Sequence, residues 1–142
     1  MIGKYPAKMD DKNRLFVPAK LREELGDDFV ITLGVNCKRR CLNVFTAAEW
    51  ERLSNNYNQL PLSQRTDATN LLFYNATQCT PDKQFRFSLT QFLITYAGID
   101  KEVMIVGKAG QAEIWAIGEY EAFEAENLTP ERLLASLEAI GL

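Results

Sequence analysis

The chain has 142 residues, 46% of them hydrophobic and 25% charged, with a formal net charge of −3, which is the length and composition of one ordinary globular domain or two small fused ones. It contains no histidine, which excludes His-based acid–base catalysis, Ser-His-Asp triads and His metal ligands. Its three cysteines, Cys37, Cys41 and Cys79, make no disulfide framework and fall short of a four-ligand zinc site, so neither a metal nor another cofactor is expected.

The first segment, "IGKYPAKM", is free of a long apolar run and alternates in character, which predicts an extended strand rather than a secretion signal. No stretch of about 18 apolar residues follows anywhere, so a cytoplasmic protein is expected. "DDKN" is a turn in which Asn13 can take the left-handed conformation, and "RLFV" is a second strand. Pro18 suits the first position of a short helix, and Gly26 its C-terminal cap. "FVITL" and "CLNVF" give two more strands. Thr46 followed by Glu49 is a capping box that opens the helix "AAEWERLSNNYNQL", with Trp50, Leu53 and Tyr57 as its apolar stripe. "LPLSQRTDATNLLFYNATQC" begins with a Pro-bounded turn and continues as a connecting helix over about residues 60–76. "GKAG" at 107–110 is too short for a phosphate loop and reads as a hairpin turn. In "ENLTPERLLASLEAIGL", Thr129 caps a helix with Pro130 at its first position, ending near residue 140. Its Leu133, Leu134 and Leu137 form one face, for the core or for a subunit contact.

The sequence matches itself at an offset of 72. Asp10 falls on Asp82, Arg14 on Arg86, Leu15 on Phe87, Leu21 on Leu93 and Gly26 on Gly98. "VITLG" at 30–34 then falls on "VMIVG" at 103–107, and "NVFTAAEWE" at 43–51 on "EIWAIGEYE" at 113–121. Repeat 1 spans about residues 1–55 and repeat 2 about 76–125. Two copies at this spacing predict one pseudo-twofold domain over 1–142 rather than an open array.

Charge is unevenly divided between the copies. Residues 1–41 hold nine Lys or Arg against six Asp or Glu, a net of +3, and the other 101 residues carry seven against thirteen, a net of −6. The local balance, not the total, sets the field that a phosphate backbone meets. Lys4, Lys8, Lys12, Arg14, Lys20 and Arg22 lie along one segment predicted to fold as hairpin plus helix. Such cations suit phosphate contact, and Arg can also read guanine edges in the major groove. Arg14 has a second reading, as a scaffold residue paired to Asp10 across the turn, and the two roles can coexist. Asp10 is expected to bond backbone amides. Lys38, Arg39 and Arg40 form a second cluster, either an accessory phosphate contact or a solvated loop. The carboxylates of the C-terminal third read as solvated helix surface.

"MDDKNRLFVPAKLREELGDDFVIT", "CLNVFTAAEWERL", "LPLSQRTDATNLLFYNATQCTPDKQFR" and "YAGIDKEVMIVGKAGQAEIW" resemble, part by part and in order, the MraZ family. The two Asp-x-x-x-Arg units, Asp10/Arg14 and Asp82/Arg86, and "AGIDKEVMIVG" carry the resemblance most specifically. It implies an α+β fold: an AbrB-like swapped-hairpin β-barrel built from two fused repeats, with flanking helices. It also implies a non-enzymatic transcriptional regulator, nucleoid-associated, that forms a ring of identical subunits. Such a ring binds double-stranded DNA at short direct repeats upstream of the division and cell-wall gene cluster. The alternative is a ring-forming assembly protein without a DNA function. Two departures stand out. The family has Gly before each Arg; here Asn13 and Phe85 fill those places, and a left-handed backbone is costly for Phe85. The second unit also has Thr90 and Ile94 where the family continues with Pro and an Arg-bearing helix, so repeat 2 is expected to serve assembly more than DNA contact.

Overall fold

The structure, a computed structural model, describes residues 1–142 and is α+β, with a mainly antiparallel sheet and six α-helices. Repeat 1 contains β1 (Lys4–Lys8), β2 (Arg14–Phe16), a 3-10 turn at Ala19–Leu21 running into α1 (Arg22–Leu25), β3 (Phe29–Asn36), β4 (Arg39–Thr46) and α2 (Ala47–Asn58). The connection is α3 (Leu62–Ala68), prolonged by a π-helical turn at Thr69–Phe73. Repeat 2 contains β5 (Thr77–Cys79), β6 (Arg86–Ser88), α4 (Gln91–Ala97), β7 (Glu102–Lys108), β8 (Gln111–Ala116) and α5 (Ile117–Asn127), and α6 (Pro130–Ala139) ends the chain.

The strands are exchanged between the halves. The six-stranded sheet runs β1-β7-β8-β4-β3-β5, an order that reads the same when equivalent strands of the two halves are swapped. β1 of the first half pairs with β7 of the second, and β5 of the second with β3 of the first. The remaining strands, β2 and β6, form a separate antiparallel ribbon in which Leu15 lies opposite Phe87. These two residues are equivalent at the offset of 72, as Asn43 and Glu113, paired between β4 and β8, are equivalent in the later segment. Both pairs therefore sit where a pseudo-twofold axis must pass. Backbone bonds obey the same relation: Val17 N–H donates to Phe85 C=O at 2.8 Å, and Leu89 N–H to Asn13 C=O at 3.0 Å.

The core follows from alternation along the strands. Leu15 and Phe87 point inward with Phe29, Ile31, Leu42, Val103, Ile105 and Ile114, while Arg14, Phe16, Arg86 and Ser88 take the other face of the ribbon. Pro6 sits on β1, an edge of the sheet, where its missing N–H costs no ladder bond. A smaller cluster gathers Cys41, Trp115 and Tyr120 under α5.

Several local expectations are adjusted. Pro18 stands just before the 3-10 turn as its cap, not at the first helical position, because its ψ of 134° is still extended. Gly98 closes α4 in the left-handed region, whereas Gly26 leaves α1 at φ 70°, ψ −156°, so the two equivalent glycines turn the chain differently. Thr46 accepts the Glu49 N–H at 3.1 Å, but the Glu49 carboxylate turns to Arg52 instead of closing the capping box. The connecting helix, with its π turn, covers Leu62–Phe73 rather than about 60–76, because the chain turns at residues 74–75 ahead of β5. Trp50 and Tyr57 of α2 pack against Phe73 of the π turn, at ring centroid distances of 5.0 and 4.6 Å. Leu133 and Leu134 of α6 are exposed, so that face is not part of the core.

Candidate nucleic-acid interface

Both Asp-x-x-x-Arg units build one device from five residues. Asp10 accepts the backbone N–H groups of Lys12 and Arg14 on one carboxylate oxygen, each at 2.9 Å, and the Arg14 Nε–H on the other at 2.8 Å. Asp82 does the same with the N–H groups of Gln84 and Arg86, at 2.9 and 3.0 Å, and with Arg86 Nε–H at 2.9 Å. The carboxylate closes the turn and the guanidinium lies across it. Both expectations hold together: Asp10 bonds backbone amides, and Arg14 is paired to it. Only Nε is used within the chain, which leaves the terminal nitrogens of Arg14 without an internal hydrogen bond.

The position before each arginine is left-handed, with φ 60° at Asn13 and 62° at Phe85. The cost expected for Phe85 is therefore incurred rather than avoided. The turn over-determines it: Phe85 N–H donates to Asp82 C=O at 2.9 Å, and its own carbonyl takes the Val17 N–H across the ribbon.

The carboxyls of Asp10 and Asp82 are held below the ordinary value of 3.8. The largest cause is the backbone N–H of the arginine four residues on, helped by its guanidinium and opposed by burial. A depressed carboxylate adds stability above the unfolded value, and this is lost as pH falls through the folded one. Acid should therefore loosen both turns together. In an NMR titration the Asp10 and Asp82 carboxyls are expected to titrate below 3.8, with the Lys12 and Arg14 amides shifting in step. Amides that stay put in Asp10→Asn as acid is added, while those of Gln84 and Arg86 still move, would complete the test; identical behaviour in both turns of that variant contradicts it.

The cations predicted along the first segment divide into two groups. Lys12, Arg14, Lys20 and Arg22 have no carboxylate partner other than the motif pair of Arg14 with Asp10. Arg14 also shares a shallow groove with Asp82, Arg86, Ser88 and Thr90, which brings both motifs to one place. Arg22 donates Nε–H to Val17 C=O at 3.0 Å, and its guanidinium lies 4.0 Å from the centroid of the Phe85 ring. Lys4 and Lys8 project from one face of β1, and Lys8 faces a hollow with Asp100, Lys101 and Glu102. Lys4 is paired with Glu124 of α5.

Lys38, Arg39 and Arg40 lie apart from that hairpin, at the β3–β4 turn, in a hollow lined by Tyr96, Glu119 and Glu126. Arg39 is engaged by Glu119 at 2.8 Å and Glu126 at 2.5 Å. Arg40 lies over the Tyr96 ring at 5.0 Å, and Lys38 is exposed. The α5 carboxylates were expected to be solvated surface; instead they cover cations of repeat 1, a contact between elements with no local signal in the sequence.

Glu113 is the residue that sequence reasoning missed. It is 3% exposed, receives Trp115 Nε1–H at 3.1 Å and Asn36 Nδ2–H at 3.3 Å, and pairs with Lys108 at 3.2 Å. The alternation of β8 is masked there because both of its faces are covered. Burial, with Glu113 adding to it, pushes the neighbouring Cys41 thiol up to about 12, and burial does the same at Cys79. Both are inert thiols rather than nucleophiles or ready metal ligands.

Two fused copies that exchange strands, each closing a turn with an Asp-x-x-x-Arg unit, define a class of internally duplicated α+β proteins with a cationic hairpin. The family model described as "MraZ protein, putative antitoxin-like" matches residues 1–71 and again residues 72–134. The chain is 35% identical to the "Transcriptional regulator MraZ" of Halothermothrix orenii, over 99% of each chain. It is 37% identical to the protein of that name from Caldicellulosiruptor bescii, over 100% of this chain and 99% of the other. It is 38% identical to that of Clavibacter michiganensis, over 89% of this chain and 87% of the other. The chain belongs to the MraZ family.

Proposed function

We propose that the protein is a DNA-binding transcriptional regulator, acting as a ring of identical subunits on short direct repeats upstream of the division and cell-wall gene cluster. The relatives' shared name supports the regulatory role. The observation that carries the DNA reading is the first turn. Asp10 fixes Arg14 through Nε alone, so a rigid hairpin presents the unbonded end of a guanidinium beside an exposed Lys12. The same reading takes the sheet and the ribbon as one swapped-hairpin barrel, a single domain over residues 1–142. Lys12 and Arg14 stand at the centre of the interface, supported by Lys20 and Arg22. Lys4 and Lys8 lie on its flank, Lys4 with its charge shared by Glu124. Lys38, Arg39 and Arg40 are accessory at most. Asp10, Asn13, Asp82 and Arg86 are structural.

Self-association is favoured by exposed apolar side chains on two different elements of the chain. One holds Leu62, Leu71 and Tyr74 at the connection; the other holds Leu133, Leu134 and Ile140 at the C-terminus. Two different sets on one subunit suit head-to-tail contact, which closes into a ring when the rotation allows. A ring repeats the hairpin, and binding to evenly spaced sites then gains by effective concentration. No reaction is assigned to the protein.

The test is a titration against the protein's own upstream region with scrambled DNA as control, at two salt concentrations. Tighter binding to the upstream region, falling with salt, is expected. Light scattering on the 16.1 kDa subunit should give a multiple of that mass at micromolar concentration. A ring with no preference between the two duplexes returns the reading to an assembly protein, and a monomer removes the ring.

A further inference from the structure

The contact between Arg22 and Phe85 joins the two copies and is used by nothing described so far. Arg22 opens α1 in repeat 1, and Phe85 occupies the second turn. Their pseudo-equivalents are Ile94 and Asn13, a pair with neither charge nor ring, so the contact exists on one side of the pseudo-axis only. Phe85 stays 45% exposed and keeps a left-handed backbone that glycine would take without strain. Hydrophobic burial explains neither fact well.

The manner in which Arg22 is held matters. Lys4 and Arg39 are fixed by carboxylates, which neutralise them. Arg22 is fixed by a backbone carbonyl and an aromatic face, both uncharged, and no carboxylate pairs with it. It is held from two sides, and no carboxylate offsets its charge. An arginine held in place beforehand loses less rotamer freedom on meeting a phosphate.

We propose that Phe85 is a positioning residue of the DNA interface. The second copy, poor in cations, contributes to binding by stacking the Arg22 guanidinium of the first and holding it ready for a phosphate. This rests on the DNA reading above. The test is fluorescence anisotropy on upstream and scrambled duplexes at two salt concentrations, with ring mass and thermal unfolding recorded for each variant. Phe85→Leu keeps bulk and backbone but has no π face; it should weaken binding by about two- to fivefold per engaged subunit, the range of an exposed cation–π contact. Phe85→Tyr should bind like the parent. Phe85→Gly, which takes the turn freely, is the second variant should Phe85→Leu fail to fold, and the same loss is expected from it. The decisive sample is Phe85→Leu combined with Arg22→Ala, expected to bind no more weakly than Arg22→Ala alone. Additive losses, or an Arg22→Ala or Phe85→Leu that binds like the parent, overturn the proposal while leaving the DNA reading intact. A parent protein that shows no salt-dependent binding removes the DNA reading itself, and this proposal with it.

Discussion

Arg14→Ala is expected to abolish recognition of the proposed upstream repeats while leaving the proposed ring assembled. If the guanidinium reads a base edge, its loss costs about 1–3 kcal/mol per engaged subunit, and a ring engages several at once. The fold should barely respond. The Arg14–Asp10 pair is partly exposed and screened by solvent, so its loss should change stability little; the two backbone bonds to Asp10 survive the change. The contrast between lost binding and kept stability separates the interface role of Arg14 from its scaffold role. Lys12→Ala should instead weaken upstream and scrambled duplexes alike and lower the salt slope by about one. Arg86→Ala, in an identical turn, should disturb assembly more than affinity. An Arg14→Ala ring that binds the repeats as tightly as the parent would sink the interface assignment.

Phe87→Ala should be the most damaging single change to stability. Phe87 lies on the pseudo-axis opposite Leu15, and its ring meets Phe29 edge-on at 5.3 Å. It thereby ties the ribbon of β2 and β6 to the first strand of the central hairpin. Truncating a buried Phe costs about 3–5 kcal/mol, out of a total that is about 5–15 kcal/mol for a typical domain. Urea unfolding should show a large fall in midpoint with the slope unchanged. Ser88→Ala, the next residue on the exposed face of the same strand, is the control and should move the midpoint little. A loss below about 1 kcal/mol for Phe87→Ala, small beside the usual cost of emptying a core site, would mean that the ribbon is not part of the cooperative core.

The duplication was readable because its markers are chemically distinctive. An Asp four residues before an Arg, an apolar pair one and three residues later and a glycine past the helix recur together, and each has a local physical reason. The turn device was readable for the same cause, since Asp10 and Arg14 are close in sequence. The exchange was implied only by the family resemblance: alternation in "IGKYPAKM" predicts a strand but carries no information that its partner is β7. The engagement of Lys4 by Glu124 was hidden for that reason, as the two are 120 positions apart. Glu113 was missed because a carboxylate in a strand ordinarily marks the solvent face, and here α5 covers that face. Phe85 was read correctly as a misfit for its backbone, but the Arg22 contact needs both copies folded before it exists.

The exchange of strands also has a consequence in time. β1 ends at Lys8, and its partner runs to Lys108; β2 and β6 lie 72 positions apart across the ribbon. A chain emerging from the ribosome can zip β3 to β4 at once, but β2 stays without a partner until β6 is made at Arg86–Ser88, and β1 until β7 follows at Glu102–Lys108. Non-local pairing of this kind folds slowly, because loop-closure entropy is spent before the contacts that reward it form. During that interval an equivalent strand from a neighbouring nascent chain offers the same edge. The order of synthesis thus gives the second copy a further task, which is to arrive in cis before another molecule does.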